Sequence, residues 1–372
     1  MKLAPSAEQQ ELRQSVRRFL ADTSPLPRVR ELMDAPDGND EKVWRLAGSQ
    51  LGLQAIAIPE EHGGAGFTFA EQAIVLEELG AALYPGPYLA SAVLAATALL
   101  ASSDEAAKAA YLPGIASGET VATLAFTEDD GSWEPGAIRL AAAPRGDGDW
   151  ALDGHKSFVL DAIAADLLLV AARAGDMLSL FAVHADAPGL TRVALPTLDQ
   201  TRKLARIEFS AAPARLIGAP GEATAILDRT LDIAAIAMAA EQLGGAQRAL
   251  DMAVEYAKIR HQFGRPIGSF QAIKHRCADL LLEVESLRAS VAYAAAAVAE
   301  DSPEVPVLAS LVKALGSEVF FHVAAENIQI HGGIGFTWEH DAHLYFKRAK
   351  ASELFLGDVT YHRERLATRI GI

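Results

Sequence analysis

The chain has 372 residues, 51% apolar and 22% charged, with 29 glycines and 17 prolines; this is a globular composition with material for two or three domains, neither disordered nor fibrous. Its 33 basic against 48 acidic residues give a net charge of −15, which repels phosphate backbones and anionic lipid heads and excludes a basic nucleic-acid binder. The lone cysteine, Cys277, excludes a disulfide scaffold and a thiolate zinc site.

Residues 1–10 are polar and lack the apolar core of a signal peptide. The most apolar stretches, residues 89–100 and 291–299, are Ala-rich and too short to span a bilayer. A cytoplasmic protein is the expectation.

Residues 1–118 read as a helical block. Leu12, Val16, Phe19 and Leu20 recur at helical spacing, as do Ile74, Val75, Glu78 and Leu79, and glycines and prolines from Gly52 to Gly66 break the block into helices and loops. Residues 89–112 read as one or two further helices. Residues 119–218 change character: short apolar runs at 121–126, 150–152, 157–160, 167–171, 178–183 and 205–209 are separated by turn signals at Gly146-Asp147-Gly148, Asp153-Gly154 and Ala187-Pro188-Gly189. No helical period lies between the runs, so the block is antiparallel β, and a doubly wound dinucleotide domain is excluded. Residues 219–372 are helical again. Phe270, Ile273, Cys277, Leu280, Val284, Leu287 and Val291 form the sustained stripe of a bundle helix, and Leu308, Leu311, Leu315, Val319 and Val323 form that of the next.

Metal chemistry has no support in the spacing: the histidines are scattered, and His331 and His340 read as loop or surface residues beside a Gly-rich turn. Gly-x-Ser-x-Gly is absent, and Cys277 sits on the apolar stripe of a helix, where it packs the core. Three clusters carry more. Gly63-Gly64-Ala65-Gly66 follows Ile58-Pro59-Glu60-Glu61-His62, and Gly332-Gly333-Ile334-Gly335-Phe336 follows Ile328-Gln329-Ile330-His331; each serves either close backbone approach to a ligand or the end of a helix. The third runs from Tyr256 through Arg260 to Gln271. Arg260 offers a planar fork for phosphate, Phe263 an aromatic face and Gln271 an amide, though a solvated Arg and a packed Phe explain them equally well.

In this order, the clusters resemble the acyl-CoA dehydrogenase family, and the resemblance runs over nearly the whole chain. It includes Leu51-Gly52-Leu53, Phe126-Thr127-Glu128, Gly131-Ser132, Asp153-Gly154-His155-Lys156 and Lys347 to Gly357. The resemblance implies a mainly α fold with a β middle domain: a helical N-terminal domain (1–118), an antiparallel β-barrel-like middle domain (119–218) and a C-terminal four-helix bundle (219–372). It implies a tetramer binding FAD between the middle and C-terminal domains. Arg260 would reach the pyrophosphate, with Phe263 and Gln271 on the adenosine side. Gln329, Gly332 and Gly333 would come from a neighbouring subunit, and Thr127, Ser132 and Phe158 would lie along the flavin. The implied reaction is α,β-desaturation of an acyl-CoA thioester: a carboxylate takes the α proton and hydride leaves the β carbon, with an electron-transfer flavoprotein or another acceptor downstream.

The departures from the pattern concern the base. Leu356, before Gly357, stands where the family's commonest Glu belongs, and Ala234 stands at the alternative position. Leu160 replaces a hydroxyl expected beside the flavin, and Trp133 stands where an Asp is usual. Glu241, seven residues after Ala234 among alanines and glycines, is the best remaining base candidate, since burial would raise its pKa; Asp358 is second. Two readings follow, and a weaker third keeps the fold but not the reaction, as in family relatives that oxidise other substrates or bind acyl carriers. One is an acyl-CoA dehydrogenase with a relocated base. The other is a base-less partner subunit of a heteromeric (α2β2) acyl-CoA dehydrogenase, of the kind that acts on steroid side chains.

Overall fold

A computed structural model of the protein describes residues 4–146 and 149–372. Of the expected turn Gly146-Asp147-Gly148, the last two residues lie outside the described ones. The chain forms two compact units. The first comprises the chain up to Val29, Phe69–Tyr84 and Ala235–Ile372; the second comprises Arg30–Thr68 and Pro85–Ala234.

The first unit is helical. α1 (Ala7–Thr23) opens with a capping box, in which the Ser6 hydroxyl accepts from Gln9 N and the Gln9 side chain accepts from Ser6 N. The chain passes from the first unit to the second within α2 (Leu26–Met33) and continues into α3 (Glu41–Leu51) of the second. Arg13 and Arg17 on α1 reach Glu77 and Glu78 on α4 (Phe69–Ala81), with the closest contacts at 2.7 and 2.8 Å. α4 lies directly against α7 (Ala223–Ile259), most of which belongs to this unit. A Cβ on Gly80 would fall 2.0 Å from Glu241 O, and one on Gly244 would fall 1.7 Å from Glu77 O. The two backbones touch, and only glycine fits at either point. α8 (Gln271–Ala299), α9 (Val305–His331), α10 (Ala342–Leu354) and α11 (Val359–Ile370) complete the bundle.

On α8 the expected stripe is buried from Leu280 to Val291, while Cys277 is half-buried against Ala253, Ala257 and Ile330. Burial pushes its thiol pKa up. On α9, Val319 and Val323 of the expected stripe are buried, but Leu311 is exposed, and the buried face also takes in Ala309, Val312, Lys313, Gly316, Ser317 and Phe320. Small residues, invisible to a search for large apolar ones, let α9 approach its neighbours. Together with the turn after it (Val305–Phe336), α9 is long and apolar enough to cross a membrane, but 61% of its most apolar window is buried within the fold.

The second unit holds α3, a π-helix (Leu89–Ala95) running into α5 (Ala96–Ala101), α6 (Glu105–Ser117) and a seven-stranded sheet. β2 (Ala141–Gly146), β3 (Asp149–Leu160), β7 (Leu204–Ile217), β5 (Met177–His184) and β4 (Leu167–Ala174) pair in a closed circuit, with β4 rejoining β2. β6 (Leu190–Leu195) adds to β7, and β1 (Ala122–Ala125) adds to β4. The arrangement is barrel-like and mostly antiparallel, but β1 and β2 run parallel to β4. Alternation within a strand shows a buried face and says nothing of its neighbour's direction.

Asp153-Gly154 is not a turn. Gly154 sits inside β3 at φ +130°, beside a register shift, where a Cβ would meet Leu140 at 2.8 Å. The two apolar runs on either side are therefore one bulged strand.

Candidate functional site

At the C-terminal end of α7 the chain turns through a two-residue hairpin, β8 (His261–Gln262) and β9 (Arg265–Pro266). The turn residues Phe263 and Gly264 both have positive φ, +54° and +77°, the signature of a type I′ turn. Phenylalanine at such a position costs roughly 1 kcal/mol relative to Gly or Asn, and here its ring is 91% exposed. It meets Phe270 edge-on, at 6.1 Å between centroids, and Arg265 stacks on the Phe270 ring. Arg260, at the start of the hairpin, and Gln271, at the start of α8, are exposed.

Gln329 is exposed near the end of α9, and Gly332 and Gly333 follow in an exposed 3-10 turn (Gly332–Phe336). Gly332 has φ +66° and ψ −148°, a conformation that excludes side chains. His331, expected at the surface, is buried: it stacks on Tyr256 at 4.3 Å and meets His340 at 4.3 Å. Its Nδ1 donates to Asn327 O at 2.8 Å, and burial lowers its pKa.

Glu241 is buried as expected, but not alone. Its Oε1 accepts from Arg348 Nη1 at 2.6 Å, with the two side chains 9% and 3% exposed. The environment is thus the reverse of the apolar pocket expected from its alanine and glycine neighbours. Asp358 is also committed: it caps α11, accepting from Tyr361 N at 2.8 Å. Leu356 is buried, with φ +64°, in a tightly held turn. Lys313 Nζ donates to Gly357 O at 2.9 Å, Glu353 O at 3.1 Å and Ser317 Oγ at 3.1 Å. His362 Nε2 donates to Leu356 O at 2.9 Å. Burial, reinforced by Lys313, pushes His362 down to about 3, so its imidazole is neutral at ordinary pH. Ala234 is fully buried.

In the second unit, the Thr127 hydroxyl donates to Ser157 O, and Ser157 N donates to Thr127 O at 3.0 Å. The Thr127 proton is spent, and its oxygen lone pairs remain for a ligand. Ser132 Oγ accepts from Glu134 N at 3.2 Å and keeps its own proton. Phe158 stands at the second register shift of β3, exposed, with φ +58°. Leu160 is buried. Asp129 gathers Arg206, Ser157 and His155, and the Arg206 and Ser157 hydrogen bonds hold its carboxyl below the ordinary range. Burial would raise Glu128, but the ammonium of Lys156 outweighs it and holds that carboxyl low.

Within the first unit, the donor types of Arg260, Gln271 and Gln329 fit the phosphate and adenosine parts of FAD. Arg260, Gln271 and Gln329 are exposed and make no side-chain hydrogen bond among the described residues. Phe263 and Phe158 are exposed rings on left-handed backbone, strained arrangements that a ligand or partner would use. Sequence reasoning did not find Arg348, Lys313 or His362. Each acts through a partner distant along the chain or through backbone carbonyls, and neither leaves a local motif.

Comparison with known proteins accounts for the chain from near one end to the other. Family profiles described as the acyl-CoA dehydrogenase N-terminal, middle and C-terminal domains match residues 6–119, 123–211 and 224–371. The family is FAD-binding. "Acyl-CoA dehydrogenase IpdE2" of Mycobacterium tuberculosis is 40% identical over 354 residues, covering 95% of this chain and 94% of that protein. Among solved structures, the ChsE4-ChsE5 complex from Mycobacterium tuberculosis is similar at 31% identity and TM-score 0.89, covering 100% of this chain and 99% of that one. A variant of the steroid ACAD Tcur3481-Tcur3483 is similar at 33% identity and TM-score 0.87, covering 98% of this chain and 97% of that one.

Proposed function

The chain belongs to the acyl-CoA dehydrogenase family, and from that premise we propose that it is one subunit of a tetrameric, FAD-dependent acyl-CoA dehydrogenase whose proton-abstracting carboxylate comes from a second, similar chain. One observation carries the reading: the best-placed acid, Glu241, is held by Arg348 in a buried ion pair, while Leu356 and Ala234, at the expected base positions, carry no carboxyl.

In this reading Arg260 binds the pyrophosphate of FAD by charge-assisted hydrogen bonds. Phe263 and Gln271 receive the adenosine side, and Gln329, Gly332 and Gly333 present amide and bare backbone to the cofactor shared with a neighbouring subunit. Thr127, Ser132 and Phe158 orient the flavin and the thioester. The flavin, when bound, supplies the acceptor for the β-carbon hydride. The clamped turn at Leu356 closes the site with an apolar side chain and moves no proton. The three sequence blocks, 1–118, 119–218 and 219–372, serve as the family's three domains. The substrate class is a fatty or steroid-side-chain acyl-CoA, following the steroid ACAD similarity, and the electrons pass to an electron-transfer flavoprotein or comparable acceptor in the cytoplasm.

The competing reading keeps Glu241 as a relocated base and makes the chain self-sufficient. Purification alone and with a co-expressed base-bearing chain separates the two, by flavin absorbance and acyl-CoA oxidation with an artificial acceptor. Turnover only in the pair supports the subunit reading. Turnover by the chain alone, lost in Glu241→Gln with the fold intact, overturns it. A flavin that no acyl-CoA bleaches in either preparation overturns both.

A further inference from the structure

Lys156 is wholly buried inside the second unit, and none of the roles assigned above uses it. Its ammonium donates to Phe126 O at 3.2 Å and to Glu128 Oε1 at 2.9 Å, the residues on either side of Thr127. Glu128 is fixed in turn: its carboxylate accepts from Arg139 N at 3.0 Å and from Leu140 N at 2.8 Å. The next residue on β3, Ser157, exchanges two hydrogen bonds with Thr127, and the one after is the exposed, left-handed Phe158. Two consecutive residues of one strand therefore fix the segment 126–128, and the third is Phe158. A buried ammonium is costly unless several acceptors satisfy it, and its two acceptors here bracket Thr127.

We propose that Lys156 is a positioning residue for flavin binding: its ammonium locks the Phe126–Glu128 segment against β3, so that the Thr127 oxygen and the Phe158 ring keep the geometry a bound flavin needs. The inference rests on the flavin-side reading of Thr127 and Phe158. Lys156 itself, sealed in the interior, touches no ligand.

The lock is sensitive to pH. Burial pushes Lys156 down to about 8 against the opposing pull of Glu128 and Asp130, the charges that face it. Asp129, His155 and Arg206 form a separate cluster around Ser157. Deprotonation leaves Glu128 without its cation and reduces the bridge across Thr127 from charge-assisted hydrogen bonds to the weaker ones of a neutral amine.

The full chain is titrated with FAD from pH 6.5 to 9.5, with binding read from flavin fluorescence and folding from circular dichroism. Wild type is expected to lose affinity with a midpoint near pH 8. Lys156→Met, and Glu128→Gln as a second variant that leaves the lysine in place, are expected to bind FAD about tenfold more weakly at pH 7. Both should show a flat profile across pH 8, and Lys156→Arg should recover most of the affinity. Folded variants that bind within twofold of wild type, or that keep the wild-type pH profile, overturn the positioning role and leave the flavoprotein reading intact. Wild type that binds FAD at no pH, alone or co-purified with the base-bearing chain, overturns the flavoprotein reading and this inference with it.

Discussion

Glu241→Gln removes the charge facing Arg348 and keeps the volume of the side chain. Water cannot take the place of the carboxylate, because the guanidinium is 3% exposed. A buried ion stripped of its partner costs about 3–5 kcal/mol, while replacing both members recovers much of that loss. Glu241→Gln and Arg348→Met should therefore each destabilise the protein by about 3–5 kcal/mol. The double variant should cost at least about 2 kcal/mol less than the sum of the two. At roughly 2.1 cal/mol/K of unfolding entropy per residue, the 372-residue chain converts each single loss into a Tm drop of about 4–6 °C. Urea and thermal unfolding of the four proteins, followed by circular dichroism, measure the cycle. The ion-pair reading is refuted if Glu241→Gln lies within about 1 kcal/mol of wild type and the two substitutions add. That result would remove the ion pair as the objection to Glu241 as a base.

Other consequences are equally open to measurement. Gly244→Ala places a Cβ 1.7 Å from Glu77 O, so soluble expression should collapse or Tm should fall by more than in the Glu241 variants; an unchanged Tm would show that α4 and α7 do not touch. Phe263→Asn relieves left-handed strain at an exposed turn, so stability should hold or rise by up to about 1 kcal/mol while FAD affinity falls, and unchanged FAD affinity would detach Phe263 from the cofactor. His362 is held at about 3 when folded and titrates near 6.5 when unfolded, so below pH 6.5 the unfolded chain takes up a proton that the folded one refuses. Stability should fall with pH from about 6.5 to 3 by up to about 1.4 kcal/mol per unit from this group. His362→Gln, which keeps the donor to Leu356 O, should flatten that part of the slope in urea midpoints.

How much of this was legible in the sequence depended on the range of the interaction. The bundle helices showed themselves through stripes such as Leu280, Val284 and Leu287, because burial repeats every three or four residues. On α9 only part of the buried face carries large apolar residues, Val319 and Val323 among them; Ala309, Gly316 and Ser317 fill the rest while Leu311 is exposed. In the second unit, the runs at 150–152 and 157–160 were visible, but the bulge at Gly154 that joins them looked like a turn. The parallel pairing of β1 with β4 had no local signal at all. The motif from Arg260 to Gln271 could be read from residue types, whereas the strained tip at Phe263 required the backbone. Glu241 stood out by its neighbours along the chain; its partner, Arg348, lies 107 residues away, and the pairing changes what the acid can do.

The most direct test of the central claim places the missing carboxylate in the clamped turn. Lys313 and His362 hold that turn through its backbone carbonyls, so its shape does not depend on the side chain at position 356. The measurement is anaerobic bleaching of flavin by acyl-CoA in the FAD-loaded chain purified without a partner, wild type against Leu356→Glu. The account predicts no bleaching in wild type and bleaching in Leu356→Glu. Bleaching by wild type alone, abolished in a folded Glu241→Gln variant, would contradict it.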